Sequence, residues 1–231
     1  MTRHPVNAFS IEPATAAIAG SAARFPVRRI FCIGRNYAEH AAEMGATVDR
    51  GNPVFFCKPA DAIVTDGVDI PYPSATQELH HEVEMVVALH SGGIDIAEGD
   101  ALRHVFGYAV GLDLTRRDLQ AAAKAKGLPW DTAKAFDHSA PLSAIHPASE
   151  IGHPRGAALT LEVNGTLRQN TDIAQMIFAV PEILARLSHL FELKAGDLVF
   201  TGTPAGVGPL ARGDVVHARL AGVAELRGRI A

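Results

Sequence analysis

The stretch His81-Glu-Val-Glu-Met-Val-Val-Ala-Leu89 decides the fold around which the rest of this chain is arranged. Apolar side chains fall at every second position, at Val83, Met85, Val87 and Leu89. This two-residue period predicts a β-strand, and it places Glu82 and Glu84 together on the opposite face. Two carboxylates so placed repel each other in an apolar stretch, which is costly unless a cation or a basic group offsets their charge.

A second apolar run, Val105–Leu112, predicts another buried strand, and Asp113 follows directly at its end. Three carboxylates close together form an all-oxygen ligand set, which favours Mg²⁺, Mn²⁺ or Ca²⁺ over zinc. Glu82, Glu84 and Asp113 are therefore candidate ligands of a hard divalent cation. The alternative is an edge strand with a solvated Glu-x-Glu face, and the spacing alone leaves both interpretations open.

Signals for further elements lie on both sides of this strand pair. Asn36, with Glu39 three residues on, predicts an N-cap for a short helix over residues 37–44. Thr115 and Asp118 predict a capping box for a helix that runs to about residue 125. A third helix is predicted over residues 180–191. Further strands are predicted at 27–33, 54–56, 62–64, 68–70, 158–163, 166–169, 198–201 and 215–220, with a hairpin turn at Asn164-Gly165.

The composition is that of an ordinary globular protein. Of 231 residues, 48% are hydrophobic and 20% charged, which argues against disorder. The formal net charge of −4 gives no reason to expect a nucleic-acid partner, and no apolar run approaches the length of a membrane span. Two cysteines do not make a disulfide framework. These features favour a cytoplasmic, β-rich α+β protein, with residues 1–26 as an N-terminal arm and residues 27–231 as one catalytic domain.

A series of motifs follows in a fixed order along the chain. They are Gly34-Arg-Asn-Tyr-Ala-Glu-His40, Lys58-Pro59, His81-Glu-Val-Glu84, Gly111-Leu-Asp-Leu-Thr-Arg-Arg-Asp-Leu-Gln120, Lys134-Ala-Phe-Asp137 and Thr201-Gly-Thr-Pro-Ala-Gly-Val-Gly208. This series resembles the fumarylacetoacetate hydrolase family from about residue 29 to the C-terminus. Residues 25–37 and 128–137 are most similar to the fumarylpyruvate hydrolases of gentisate breakdown. The resemblance implies the fold of the fumarylacetoacetase C-terminal domain, a mixed β-roll or sandwich with short flanking helices, and a homodimer.

The resemblance also implies a metal-dependent site. It implies that Glu82, Glu84 and Asp113 ligate Mg²⁺ or Mn²⁺. His40 and Glu43 match a water-activating dyad, in which Glu43 orients the imidazole and His40 takes a proton from water. Without the motif, their spacing favours the alternative that they are two exposed polar residues on a short surface helix.

The remaining site residues are implied in the same way. Lys134 corresponds to a lysine that neutralises charge on the substrate carbonyl. Lys58 corresponds to a residue beside the site, and Gln120 to one that positions substrate or water. Arg117 is a candidate partner for a distal substrate carboxylate. Thr203 is expected to hydrogen-bond the carboxylate of a 2-oxo acid, helped by backbone N–H groups.

The activity that the resemblance implies is hydrolysis of the C–C bond of a small keto acid, an acylpyruvate, with fumarylpyruvate cleaved to fumarate and pyruvate. The alternatives are maleylpyruvate hydrolysis, decarboxylation of an oxaloacetate-like acid, and isomerisation or decarboxylation of a homoprotocatechuate-pathway intermediate. A non-catalytic protein that binds a metal or a keto acid is a further alternative. The pair His40 and Glu43 favours hydrolysis, because activation of water needs a base that simple decarboxylation does not.

Overall fold

The computed structural model describes residues 8–43, 45, 51 and 53–231. Its strands are β1 (Thr15–Ala17), β2 (Arg24–Pro26), β3 (Arg29–Gly34), β4 (Val54–Lys58), β5 (Ile63–Thr65), β6 (Leu79–His81), β7 (Val83–Leu89), β8 (Val105–Leu112), β9 (Thr115–Arg116), β10 (Ala140–Leu142), β11 (His146–Pro147), β12 (Ala158–Val163), β13 (Thr166–Asp172), β14 (Asp197–Phe200), β15 (Gly208–Pro209), β16 (Val215–Leu220) and β17 (Ala224–Arg229). The α-helices are α1 (Ala38–Glu43), α2 (Arg117–Lys126), α3 (Asp131–Lys134), α4 (Ala148–Ile151) and α5 (Val180–Leu190), and short 3₁₀ helices cover Ala60–Ala62, Glu98–His104 and Ile173–Gln175.

The central layer is an eight-stranded mixed sheet in the order β4-β3-β14-β7-β8-β10-β5, with β11 also paired to β8. The antiparallel pair β7 and β8 lies in its middle, in register from Val83 opposite Leu112 to Ala88 opposite Gly107. Every residue of β7 is buried, because both faces of the sheet are covered. Continuous burial explains the run of valines in this strand.

A second, four-stranded antiparallel sheet in the order β13-β12-β16-β17 supplies one of the covering layers. Leu161 and Val216 from this sheet share one hydrophobic core with Val83 and Met85 of β7. The turn between β12 and β13 is the predicted hairpin, and Asn164 and Gly165 both have positive φ, of 53° and 75°. These layers confirm the β-rich α+β class with few short helices.

The N-terminal segment contributes a small hairpin to the other face of the sheet. Strands β1 and β2 pair with each other, and Ala16 and Phe25 are buried in a second core with Ile30 and Phe200. The division into an arm of residues 1–26 and a domain of residues 27–231 stays a prediction.

Tertiary contacts override some of the local predictions. The capping box was wrong, because Asp118 accepts from the Thr76 hydroxyl and the Gln77 N–H, while Thr115 Oγ1 donates to the Asp113 carbonyl. Residues 68–70 form no strand, and Ile70 makes a single bridge to Ile230. The first helix begins one residue later than predicted, and residue 44, its predicted last residue, lies outside the described residues.

Candidate metal centre and active site

The three carboxylates meet at one end of the central strand pair β7 and β8. Glu82 directly precedes β7, Glu84 is the second residue of that strand, and Asp113 directly follows β8. Because the strands are antiparallel, the start of one lies beside the end of the other, and the Asp113 N–H donates to the Glu82 carbonyl at 2.8 Å. One ligand oxygen from each of the three buried carboxylates lies within 4.8 Å of the others. The grouping predicted from the strand pattern is therefore observed.

Two of these carboxylates are paired with two buried lysines and a half-buried arginine. Lys134 Nζ lies 2.7 Å from Glu82 Oε2 and 2.6 Å from Asp113 Oδ2. Arg117 Nη2 lies 2.6 Å from Glu82 Oε1, and Lys58 Nζ lies 2.8 Å from Asp113 Oδ1. Burial raises the pKa of Glu82, but Lys134 and Arg117 together hold that pKa well below its usual range. The same pairing raises the pKa of Lys134 in spite of its burial.

Glu84 is the exception among the three carboxylates. It makes no ion pair within the described part of the chain, and its Oε2 accepts one hydrogen bond, from the Gly202 N–H at 2.7 Å. Burial, and then the charges of Asp113 and Glu82, raise its pKa well above the usual value. A cation bound between the three side chains would offset this repulsion, so the donor set fits a hard divalent metal ion.

The charges around the triad indicate what such a centre would bind. The cations of Lys58, Lys134 and Arg117 balance the three carboxylates. A bound divalent ion would therefore leave two excess positive charges in a buried site. An anionic oxygen ligand such as a 2-oxo acid would offset them.

Asn36 holds in place the glycine-rich turn of residues 201–208, which lies beside Glu84. The amide of Asn36 donates to the carbonyls of Phe178 and Thr201 and accepts from the Phe178 N–H. Gly202 has φ of +95°, and a Cβ there would lie 2.6 Å from the Asn36 Cβ, so only glycine fits. The predicted N-cap at Asn36 was wrong, because these distant backbone groups occupy its side chain.

His40 and Glu43 lie together on α1, as the helical spacing predicts. His40 Nδ1 is 3.3 Å from Glu43 Oε2, and Glu43 also accepts from the Gly206 N–H at 3.2 Å. This second bond docks α1 onto the glycine-rich turn. Burial lowers the pKa of His40, although the charges of Glu82 and Glu43 act in the opposite direction. The imidazole is therefore neutral near pH 7, as a general base must be.

These groups line one cavity that opens to solvent. The predicted site residues in its wall are His40, Glu82, Glu84, Asp113, Arg117, Gln120, Lys134 and Thr203. Sequence reasoning missed Arg35, Phe56 and Lys124, and it read Trp130 only as a packing or rim residue. Arg35 stands in the same motif as His40, and Lys124 lies one helical turn after Gln120, so both spacings carried a usable signal.

Lys58 and Arg117 each pair with a carboxylate of the triad, and their predicted substrate contacts stay predictions. The Lys58 side chain is fully buried behind Asp113, where it also donates to the carbonyls of Leu114 and Lys134, so it positions the carboxylate. The Arg117 guanidinium donates to Glu82 and, at 2.6 Å, to Gln120 Oε1. These bonds hold the Arg117 guanidinium beside the triad and use one N–H on each of its two terminal nitrogens.

Thr203 is held by a residue that sequence reasoning missed. Buried Gln169 accepts from the Val83 N–H and donates to Thr203 Oγ1 at 2.8 Å, and its Oε1 lies 3.0 Å from His81 Nδ1. The Thr203 hydroxyl in turn donates to the Val83 carbonyl at 2.9 Å. Since that hydrogen is already used, donation to a substrate carboxylate is left to backbone N–H groups of the turn.

Replacing Gln169 with leucine should weaken substrate binding more than catalysis. The change leaves the Val83 N–H and the Thr203 hydroxyl short of a partner, at a cost of about 1–3 kcal/mol in the free energy of unfolding. We expect KM for the keto acid to rise about 10-fold, with a smaller change in kcat. Steady-state kinetics and urea unfolding measure both effects. Asn170→Ala, on the exposed neighbouring residue of β13, is the control, and an unchanged KM in Gln169→Leu would exclude this positioning role.

A buried carboxylate triad and a neutral histidine in one cavity of a β-rich domain define a metal-dependent enzyme centre. The chain belongs to the fumarylacetoacetate hydrolase family, because residues 29–231 match the model of the fumarylacetoacetate (FAA) hydrolase C-terminal domain. It is therefore an enzyme of a family that acts on keto acids. No helix among the described residues is long and apolar enough to cross a membrane.

Similar proteins include a fumarylpyruvate hydrolase and oxaloacetate tautomerases. The crystal structure of fumarylpyruvate hydrolase from Pseudomonas aeruginosa in complex with Mn²⁺ and pyruvate is 50% identical, with a TM-score of 0.94 over 97% of this chain and 99% of that chain. The mitochondrial oxaloacetate tautomerase FAHD1 of Mus musculus is 44% identical over 88% of this chain and 91% of its own. The oxaloacetate tautomerase YcgM of Escherichia coli is 44% identical over 84% of this chain and 89% of its own.

Proposed function

We propose that this enzyme is a metal-dependent acylpyruvate hydrolase that cleaves fumarylpyruvate to fumarate and pyruvate in gentisate-type aromatic degradation. The observation that carries the proposal is that His40, paired with Glu43, lies in the wall of the same cavity as the carboxylate triad. The fumarylpyruvate hydrolase relative, which holds Mn²⁺ and pyruvate, supports it. Glu82, Glu84 and Asp113 would hold Mg²⁺ or Mn²⁺, which stabilises negative charge on a substrate oxygen as a Lewis acid.

The protein side chains divide the remaining work. His40 takes a proton from water as the water oxygen attacks the carbonyl carbon of the acyl group. The bond from that carbon to the methylene then breaks, and its electron pair passes into the enolate of pyruvate, which takes up a proton. Lys134, between Glu82 and Asp113, offsets negative charge on the substrate as the enolate forms.

A substrate panel with Mg²⁺ or Mn²⁺ tests the proposal. Fumarylpyruvate, maleylpyruvate, acetylpyruvate and oxaloacetate would each be followed by absorbance and by product analysis. We expect loss of the 2,4-dioxo absorbance with equimolar pyruvate and fumarate from fumarylpyruvate. Release of carbon dioxide without an acid product, or no turnover of any 2,4-dioxo acid, would contradict hydrolysis.

Oxaloacetate tautomerisation is the second candidate function. It is favoured by relatives of that activity that are 44% identical over most of their length. The same base and cations would serve it, because exchange between keto and enol forms also moves a proton next to a carbonyl. Faster decay of enol-oxaloacetate absorbance, with no hydrolysis of acylpyruvates, would establish this function in place of the first. The homodimer and the cytoplasmic location stay predictions.

The pH dependence of turnover should report the state of His40. Burial lowers the pKa of His40 below the ordinary 6.5. The imidazole is therefore neutral and active as a base above its pKa, and protonation inactivates it as the pH falls through that pKa. The acid limb of kcat/KM is therefore expected below pH 6.5. In Glu43→Gln the limb should move to still lower pH, since Glu43 raises the pKa of His40. A limb that moves upward in this variant would contradict the dyad.

A further inference from the structure

Two cations in the cavity wall have no anionic partner among the described residues. Arg35 and Lys124 make no ion pair with any described residue, whereas Arg117 and Lys134 in the same wall each hold a carboxylate. An unpaired arginine and lysine in one cavity wall are available to bind an anion.

Arg35 occupies an unusual backbone position at the end of β3. Its φ is +63°, in the left-handed region that residues other than glycine, asparagine and aspartate rarely adopt. The anchoring of its neighbour Asn36 to Phe178 and Thr201 holds the chain there. An arginine at a strained, half-buried position facing a catalytic cavity is typical of a residue whose side chain is used.

Lys124 lies at the mouth of the cavity on α2. Its Nζ lies 5.2 Å from the centre of the Trp130 ring, which fixes where the charge stands. Burial, and then the charges of Arg117 and Arg35, lower its pKa, so these cations lie near enough to repel one another. An anion bound beside Lys124 would relieve that repulsion.

An aromatic strip joins the triad to Lys124. Lys134 Nζ, which touches Glu82 and Asp113, lies 5.0 Å from the centre of the Phe56 ring. The ring centres of Phe56 and Trp130 are 6.2 Å apart, and Trp130 leads on to Lys124. With a divalent cation held by the triad, this arrangement would complement a molecule with an anionic head at that cation, a flat apolar middle and a second anionic end.

We propose that Arg35 and Lys124 form a distal anion subsite, which binds a terminal carboxylate on the acyl group of the substrate. The inference rests on the proposed acylpyruvate hydrolysis and narrows it to acyl groups that are themselves carboxylic acids. It also places the distal contact at Arg35 and Lys124 rather than at Arg117, which is held beside Glu82 and Gln120.

Paired substrates test the subsite through Lys124→Met and Arg35→Asn, the second of which keeps a residue that tolerates left-handed backbone. Loss of a charged hydrogen-bond partner should lower kcat/KM for fumarylpyruvate about 10-fold to 100-fold. Acetylpyruvate, which lacks the distal carboxylate, should change less than about 2-fold, because the bond to that carboxylate is the only one removed. Lys126→Met, at an exposed position near the end of the same helix, is the matched control. Equal losses for both substrates, or no loss for either, would overturn the subsite.

Fumarate binding separates this inference from the proposed function. Calorimetric titration of fumarate into the Mn²⁺-loaded protein measures the binding affinity without any turnover. Weaker binding to Lys124→Met than to Lys126→Met would support the subsite even if the enzyme hydrolyses no acylpyruvate. Absence of acylpyruvate hydrolysis would refute only the proposed function. Equal binding to both variants, or no binding to the unmodified protein, would overturn the subsite whatever the enzyme hydrolyses.

Discussion

Replacing Glu84 with glutamine should abolish metal binding and turnover without destabilising the metal-free protein. The side chain is buried, makes no ion pair with the described residues and lies near the like charges of Asp113 and Glu82. A charged carboxylate at this position is therefore favourable only when a cation is bound beside it. Glutamine keeps an acceptor for the Gly202 N–H. We expect kcat/KM to fall more than about 100-fold, beyond the loss caused by removing an outer-shell partner of a ligand.

Asp113→Asn is the matched comparison for this prediction. It also removes a ligand, but it leaves Lys58 buried without its carboxylate. Breaking a buried ion pair from one side costs about 3–5 kcal/mol in the free energy of unfolding. Thermal unfolding with and without Mn²⁺ should therefore show both variants unresponsive to metal and only Asp113→Asn less stable without it. A Glu84→Gln variant stabilised by Mn²⁺ as strongly as the unmodified protein would contradict the ligand assignment.

Replacing His40 with alanine should remove hydrolysis while metal binding remains. His40 is the one group in the described cavity wall that is buried, neutral near pH 7 and paired with a carboxylate that can orient it. Loss of a general base lowers rates by about 10²–10⁴-fold. The measurements are kcat for fumarylpyruvate and the dissociation constant for Mn²⁺.

Glu39→Gln controls for disturbance of the helix, because Glu39 lies exposed on α1 next to His40. It should leave kcat within about 2-fold of the unmodified enzyme, as most surface changes do. A His40→Ala enzyme with weakened Mn²⁺ binding would show that the histidine supports the metal centre. A kcat within a few-fold of the original would show that another group activates water.

The metal centre could be predicted because its geometry is local to one strand pair. A two-residue period fixes which side of β7 carries Glu82 and Glu84, and the end of an apolar run marks Asp113. Neighbouring antiparallel strands then bring these ends together. The helix spacing of His40 and Glu43 is local in the same sense.

The rest of the site depends on contacts that no local pattern reports. Gln169 reaches Val83 across 86 residues, and Asn36 reaches Phe178 across 142. A polar side chain that could cap a helix or lie on a strand surface can instead hydrogen-bond a backbone group that is distant in sequence. Lys58 and Arg117 illustrate the converse, because the sequence places them near the site but does not show that each is paired with a carboxylate of the triad.

Chelation and metal restoration test the carboxylate centre most directly. The enzyme would be treated with excess chelator, assayed on fumarylpyruvate, and assayed again after addition of Mn²⁺ or Mg²⁺ in excess over the chelator. We expect no pyruvate from the chelated enzyme and full recovery of equimolar fumarate and pyruvate when the metal returns. Undiminished turnover in excess chelator would contradict a metal held by Glu82, Glu84 and Asp113 as the basis of the reaction.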